Sequence, residues 1–119
     1  MSRLLLVDDD DANRLTLSVL LEDEGFAVDV AASFSEAKAR ITDGESAYSA
    51  VLLDHSLGDG YGTDLIPLIR RTLPTTKIVA MSGSLNAERM RAAADANLPK
   101  GLHFPDFLGR LRALLGSGQ

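Results

Sequence analysis

Short apolar runs and helical patterns take turns along the whole chain. Residues 3–7 (RLLLV) form the first run, continuous enough to predict a strand buried on both faces. Over 12–24 the apolar residues Ala12, Leu15, Val19 and Leu20 recur at helical spacing, and Gly25 stands where such a helix would stop. The alternating FAVDVA of 26–31 predicts a second strand. Ser33 and Glu36 make a capping box that opens a second helix running through Ile41 and closing near Gly44. Residues 50–53 predict a third strand that ends on Asp54. A third helix is expected over 64–73, with Pro67 in its first turn and Pro74 at its end. KIVAM at 77–81 is the fourth strand, followed by a weaker Ala-rich helix over 87–95 and a very short run at 96–98. The last element is an amphipathic helix over 105–115, whose Phe107, Leu108, Leu111, Leu114 and Leu115 are expected to form core.

Five strands alternating with five helices predict an α/β domain, a doubly wound parallel sheet with helices on both faces. Crossovers in such sheets are right-handed, so ligands collect beyond the carboxyl ends of the strands. The polar residues fall there as a set. Asp8 and Asp9 follow the first strand, Asp54 ends the third, Ser82 follows the fourth and Lys100 follows the fifth.

Composition narrows the class. The chain has 119 residues, enough for one domain, with 45% hydrophobic and 24% charged residues, as in ordinary globular proteins. No apolar run approaches the roughly 20 residues of a membrane span, and aspartates interrupt any signal-like pattern at position 8. The absence of cysteine excludes disulfides and thiolate metal sites, so a cytoplasmic location is expected. A net charge of −5 argues against nucleic-acid binding by this domain. The closing GSGQ reads as a tail or the start of a linker, which places the folded unit at 1–116 and the tail at 117–119.

The run LLLVDDDD at 4–11 is the feature that asks for a cation. Two carboxylates 4 Å apart repel by roughly 4 kcal/mol at an effective dielectric of 20, and a buried strand end leaves less water to relieve this. Asp8, Asp9 and Asp54 together make a hard, oxygen-rich pocket suited to Mg²⁺, which takes a few carboxylates and prefers phosphate as a further ligand. Ser82 offers a hydroxyl and Lys100 a positive charge to phosphoryl oxygens. A central carboxylate can itself attack a phosphoryl group. Asp10 and Asp11 are expected only to cap the first helix. His55 and His103 lack a metal-ligand spacing, and neither is assigned a role.

With VDD at 7–9, AVLLDHSLGDGYG at 50–62, IVAMSG at 78–83 and LPKG at 98–101, the chain resembles the receiver domain of bacterial two-component response regulators over all but its last few residues. The resemblance implies a flavodoxin-like five-stranded sheet of order 2-1-3-4-5. It implies Asp54 as phosphoacceptor, Ser82 as switch hydroxyl and Lys100 as phosphoryl contact. Mg²⁺ would be held by Asp8, Asp9, Asp54 and the backbone carbonyl of Ser56. The implied donor is a sensor histidine kinase or histidine phosphotransfer protein, and the implied output is a shift of the fourth-helix, fifth-strand and fifth-helix face toward a downstream protein or fused output domain. No membrane contact is implied. Ser56 and Ser84 would flank the phosphoryl group, both small, so fairly fast self-dephosphorylation is expected.

The sequence also departs from that family. Gly58 stands where the loop usually has proline, Gly101 where the lysine is usually followed by proline, and Asn97 at the aromatic switch position. The short segment between Ser82 and Lys100 implies a trimmed fourth helix, and rearrangement is expected to stay local to 83–98 without dimerising through the usual face. Two rival readings fit the same residues. Asp8-x-Asp10, with Ser82 and Lys100, imitates haloacid-dehalogenase-type phosphatases, although only Asp106 follows the lysine to serve as their downstream acid. A receiver-shaped interaction module that is never phosphorylated is the other.

Overall fold

The computed structural model describes residues 2–43, 47–82 and 87–116. Strand β1 (Arg3–Val7) is followed by α1 (Asp11–Asp23), β2 (Ala27–Ala31), α2 (Phe34–Asp43) and β3 (Ala50–Leu53). A 3₁₀ turn (Gly62–Leu65) leads into α3 (Ile66–Thr72), then β4 (Lys77–Ala80), α4 (Glu88–Ala93), β5 (Ala96–Asn97) and α5 (Phe104–Leu115). All strand pairs are parallel, in the order β2-β1-β3-β4-β5. This is the expected doubly wound sheet, and its strand order reverses between β1 and β3, the place where sheets of this kind bind ligands.

The continuous apolar runs explain the layering. Successive residues of a strand point to opposite faces, so a run with no polar positions must be covered on both. Leu5 and Val7 of β1 join Val51, Leu53, Ile78 and Ala80 beneath α2, α3 and α4, through Ala37, Ile41, Ile69 and Met90. Leu4 and Leu6 join Ala50, Leu52 and Val79 on the opposite face, beneath Leu21 of α1 and Phe107 and Leu111 of α5. The last helix supplies core through Phe107 and Leu111, which are buried, and Leu114 and Leu115, which pack against them, whereas Leu108, also expected in the core, is only half-buried and joins neither cluster.

Local capping follows the sequence at Asp10 and Ser33, while Asp11, also expected to cap, lies inside the helix. Asp10 caps α1 by accepting a hydrogen bond from the Asn13 N–H at 3.0 Å, while Asp11 is the first helical residue and pairs with Arg14. Ser33 Oγ accepts from the Glu36 N–H at 3.1 Å, and Glu36 reaches back to the Ala32 N–H at 3.2 Å, one residue ahead of the usual capping-box partner.

Two expectations are corrected. Leu15 and Val19, placed by spacing on the stripe of α1, are 66% and 46% exposed, whereas Leu21 is fully buried. Leu17 packs with it over the α5 side of the sheet. Helical spacing admits more than one stripe when apolar residues are plentiful, and the sheet face chose the other. The single helix expected over 64–73 is instead a 3₁₀ turn followed by α3, with Pro67 in the first turn of the α-helical part. Short 3₁₀ pieces are common at helix starts. The fourth helix is trimmed as expected, to the six residues of α4. Gly44, where α2 was expected to close, lies outside the described residues. Among the described residues no helix is long and apolar enough to cross a membrane.

Candidate functional site

The register of the sheet levels its carboxyl edge. Val7 pairs with both Ala31 and Leu53, Leu53 with Ala80, and Ala80 with Asn97. Whatever follows these residues is therefore brought together. The Asp54 N–H donates to Val7 O at 3.0 Å, Met81 N–H to Leu53 O at 3.0 Å, and Lys100 N–H to Met81 O at 3.1 Å, so the backbone fixes the acids and the lysine side by side.

Asp8 and Asp54 are buried, only 2% and 8% exposed, and Asp9 is exposed at the rim. One carboxylate oxygen from each of the three lies within 4.8 Å of the others. Lys100 closes the pocket, its Nζ donating to Asp54 Oδ2 at 2.9 Å and to Asp8 Oδ1 at 3.2 Å. Asp8 Oδ1 also accepts from the Asp10 N–H at 2.9 Å, and Arg14 donates to the Asp8 carbonyl at 2.8 Å. Asp54 Oδ1 accepts from the His55 N–H at 2.9 Å. The Asp54 carboxylate is thus oriented at one oxygen by backbone and at the other by an ammonium group.

Burial pushes the Asp54 carboxyl above its ordinary 3.8. The bond and charge of Lys100 pull the other way, and the neighbouring Asp8 adds to the rise. For Lys100, burial works to lower the ammonium, but its bonds to Asp54 and Asp8 outweigh that and hold it above the ordinary 10.5. Three carboxylates thus converge on one ammonium group, which leaves the cluster short of positive charge. A divalent cation answers that shortage, and an all-oxygen donor set at a strand edge has the hard-ligand chemistry of a Mg²⁺ site.

Ser82 is half-buried just beyond β4, and its carbonyl accepts from Arg91 of α4 at 3.3 Å. Ser56 is exposed and bridges in antiparallel fashion to Tyr61, in the loop that leaves Asp54. Gly58 in that loop has φ +78°, a backbone conformation closed to the proline usual there. Asn97 lies on β5 with its Oδ1 buried and without a hydrogen-bond partner among the described residues. Ser84 and the rest of 83–86 lie outside the described residues. Asp10 is committed to capping α1 and stays out of the carboxylate cluster, so the Asp8-x-Asp10 pair of a phosphatase site does not form.

Sequence reasoning missed Asp59 and Gly62. The Asp59 carboxylate bonds to the start of α2, and a Cβ placed on Gly62 would lie 2.0 Å from the Asp54 carbonyl oxygen. The string GDGYG showed a turn; it carried no sign of what that turn touches.

The chain is similar to known proteins in sequence and fold. The model of the response regulator receiver domain family matches residues 4–111. The transcriptional regulatory protein CpxR homolog of Haemophilus influenzae is 33% identical over 97% of this chain and 51% of its own. A CheY-like receiver domain protein from Methanospirillum hungatei superposes with a TM-score of 0.84 at 31% identity, covering 97% of this chain and 94% of that one. The response regulator TrrA of Thermotoga maritima, solved in complex with Mg²⁺ and BeF, gives a TM-score of 0.84 at 26% identity, covering 96% and 99%. The chain spans about half the length of the curated relatives it matches.

Proposed function

The chain belongs to the response regulator receiver domain family of two-component systems, and from that premise we propose that it takes a phosphoryl group onto Asp54 from a phosphohistidine. The donor is a sensor histidine kinase or a histidine phosphotransfer protein. The observation that carries this reading is the bridging of Asp54 and Asp8 by Lys100 inside a three-carboxylate cluster.

Asp8, Asp9, Asp54 and the Ser56 carbonyl are the groups that would hold Mg²⁺, which when bound offsets negative charge on the transferring group. Asp54 Oδ attacks phosphorus as the phosphorus–nitrogen bond breaks, and the electron pair returns to the donor imidazole, leaving an acyl phosphate on Asp54. Lys100 exchanges a carboxylate oxygen for a phosphoryl oxygen and stabilises its charge. The Ser82 hydroxyl then closes on the phosphoryl group. Self-dephosphorylation follows when water attacks phosphorus and Asp54 leaves as carboxylate, with the small Ser56 side chain leaving that water a path. The unit acting in this way is 1–116, cytoplasmic, contacting neither nucleic acid nor membrane itself and passing its state to a fused output domain or a partner. With Asn97 in place of an aromatic, the rearrangement stays near 83–98.

The test is mass spectrometry after treatment with acetyl phosphate and Mg²⁺. One phosphoryl group per chain, labile to hydroxylamine and mapping to the peptide that carries Asp54, is expected. A label mapping to another acidic residue, or none, would sink the assignment.

The cation gives a separate prediction. Mg²⁺ should raise the melting temperature by mass action, by about 2.7 kcal/mol of stability at a hundredfold excess over Kd. Asp9→Asn removes one repelling charge at the exposed rim, so the metal-free variant should melt higher than the wild type and lose the Mg²⁺ response. Calorimetric melts with and without Mg²⁺ check this. A variant that still gains stability at the wild-type midpoint would place the ion elsewhere.

A further inference from the structure

We propose that Asp59 is a positioning residue, latching the loop after β3 onto the start of α2 and so setting where the Ser56 carbonyl stands for the cation. The inference rests on the cation site proposed above. Residues 55–62 form a small closed hairpin. Ser56 bridges to Tyr61, Leu57 N–H donates to Gly60 O at 3.0 Å, and Gly62 N–H donates to His55 O at 2.7 Å. The base of this hairpin carries Asp54 and Ser56. Its tip carries Asp59, flanked by Gly58 and Gly60.

That tip is anchored on the start of α2. Asp59 Oδ1 accepts from the Phe34 N–H at 2.7 Å, and Oδ2 accepts from the Ser35 N–H at 3.1 Å and from Ser35 Oγ at 2.9 Å. These are the first two N–H groups of α2, which have no partner inside the helix, and the positive end of the helix dipole favours a carboxylate there. Hydrogen bonds from the Phe34 N–H and the Ser35 hydroxyl hold the Asp59 carboxyl below its ordinary 3.8. Gly60 lies so close to Phe34 that an added Cβ would fall 2.7 Å from its ring.

The helix has its own cap already. Ser33 accepts from Glu36, and Glu36 reaches back to Ala32, all within five residues. A second cap arriving from 25 residues away adds little that α2 needs. It does matter for the loop, because two glycines beside Asp59 leave the backbone many alternatives that the latch removes. Groups that orient a metal ligand from behind it typically change metal affinity by about 10–100-fold when they are removed.

The experiment compares wild type, Asp59→Ala, Asp59→Asn and Asp95→Ala. Asp95 bonds to the Ile78 N–H and to Arg70 at the opposite edge of the sheet, so its loss weakens the fold without touching the loop. Mg²⁺ affinity is measured by isothermal titration calorimetry, and hydrogen exchange is followed at the amides of Leu57 and Gly62. Asp59→Ala should bind Mg²⁺ about tenfold more weakly and exchange faster at both amides, with Asp59→Asn between it and wild type and Asp95→Ala unchanged in affinity. Affinity in Asp59→Ala equal to the wild type, or an equal loss in Asp95→Ala, overturns the latch while leaving the cation site standing. No Mg²⁺ binding by the wild type overturns the cation site and the latch with it.

Discussion

Asp54→Asn is expected to abolish the phosphoryl label completely and yet to melt at a higher temperature than the wild type in Mg²⁺-free buffer at neutral pH. The loss of label follows from chemistry, since an amide oxygen is too weak a nucleophile to form the acyl phosphate. The gain in stability follows from the sign of the shift at Asp54. Burial raises its carboxyl above 3.8 despite Lys100, so the folded protein holds that proton more tightly than the unfolded chain does. Wild-type stability from this group is therefore fully present below pH 3.8 and falls as the pH rises through the raised folded value. The asparagine variant is neutral throughout and lacks that slope. The gap between the two proteins should open across this window and stay constant above it. Thermal melts of both proteins across the window, with label counted by mass spectrometry, check the prediction. Undiminished labelling of the variant would show that another residue accepts the phosphoryl group, and a gap already full in acid would show that the carboxylate is not what destabilises the pocket.

Gly62→Ala should cost stability and site geometry together. Its Cβ would fall 2.0 Å from the Asp54 carbonyl oxygen and 3.0 Å from Leu53 Cγ, and the nearest obstacle is backbone, which cannot swing aside as a side chain would. Gly62 is buried, and its N–H is committed to His55 O. Relief requires moving either the end of β3 or the 3₁₀ turn, and overpacking of this kind costs about 3 kcal/mol or more. For a domain of this size that corresponds to a fall of roughly 10–15 °C in melting temperature. Asp54 lies on the strand end that must shift, so phosphorylation should slow in the molecules that remain folded. Denaturant titration together with the acetyl phosphate rate measures both effects. Wild-type stability would mean that the turn relaxes freely, and a normal rate in a destabilised variant would mean that it is the turn, not the strand, that yields.

Much of this protein was legible in the residues alone. Apolar runs such as RLLLV and AVLL permit few readings: a strand with no polar position must be covered on both faces, and alternation with helices then makes the sheet parallel. In a parallel sheet every strand ends on the same edge, so Asp8, Asp54, Ser82 and Lys100 could be gathered from their places after strands with no distance known. Capping was equally local, and Ser33, Glu36 and Asp10 were found within four residues of their partners. The tertiary structure decided what depends on contacts between distant segments. Whether Leu15 or Leu21 of α1 turns inward depends on the sheet and α5 beneath it, because spacing offers both. The bond of Lys100 to two buried acids, the anchoring of Asp59 on α2 and the contact of Gly62 with Asp54 likewise join segments that have no common pattern in the chain. Periodicity and capping are set by backbone geometry over a few residues, while ion pairing, burial and close packing are set by whichever surfaces the completed fold brings together.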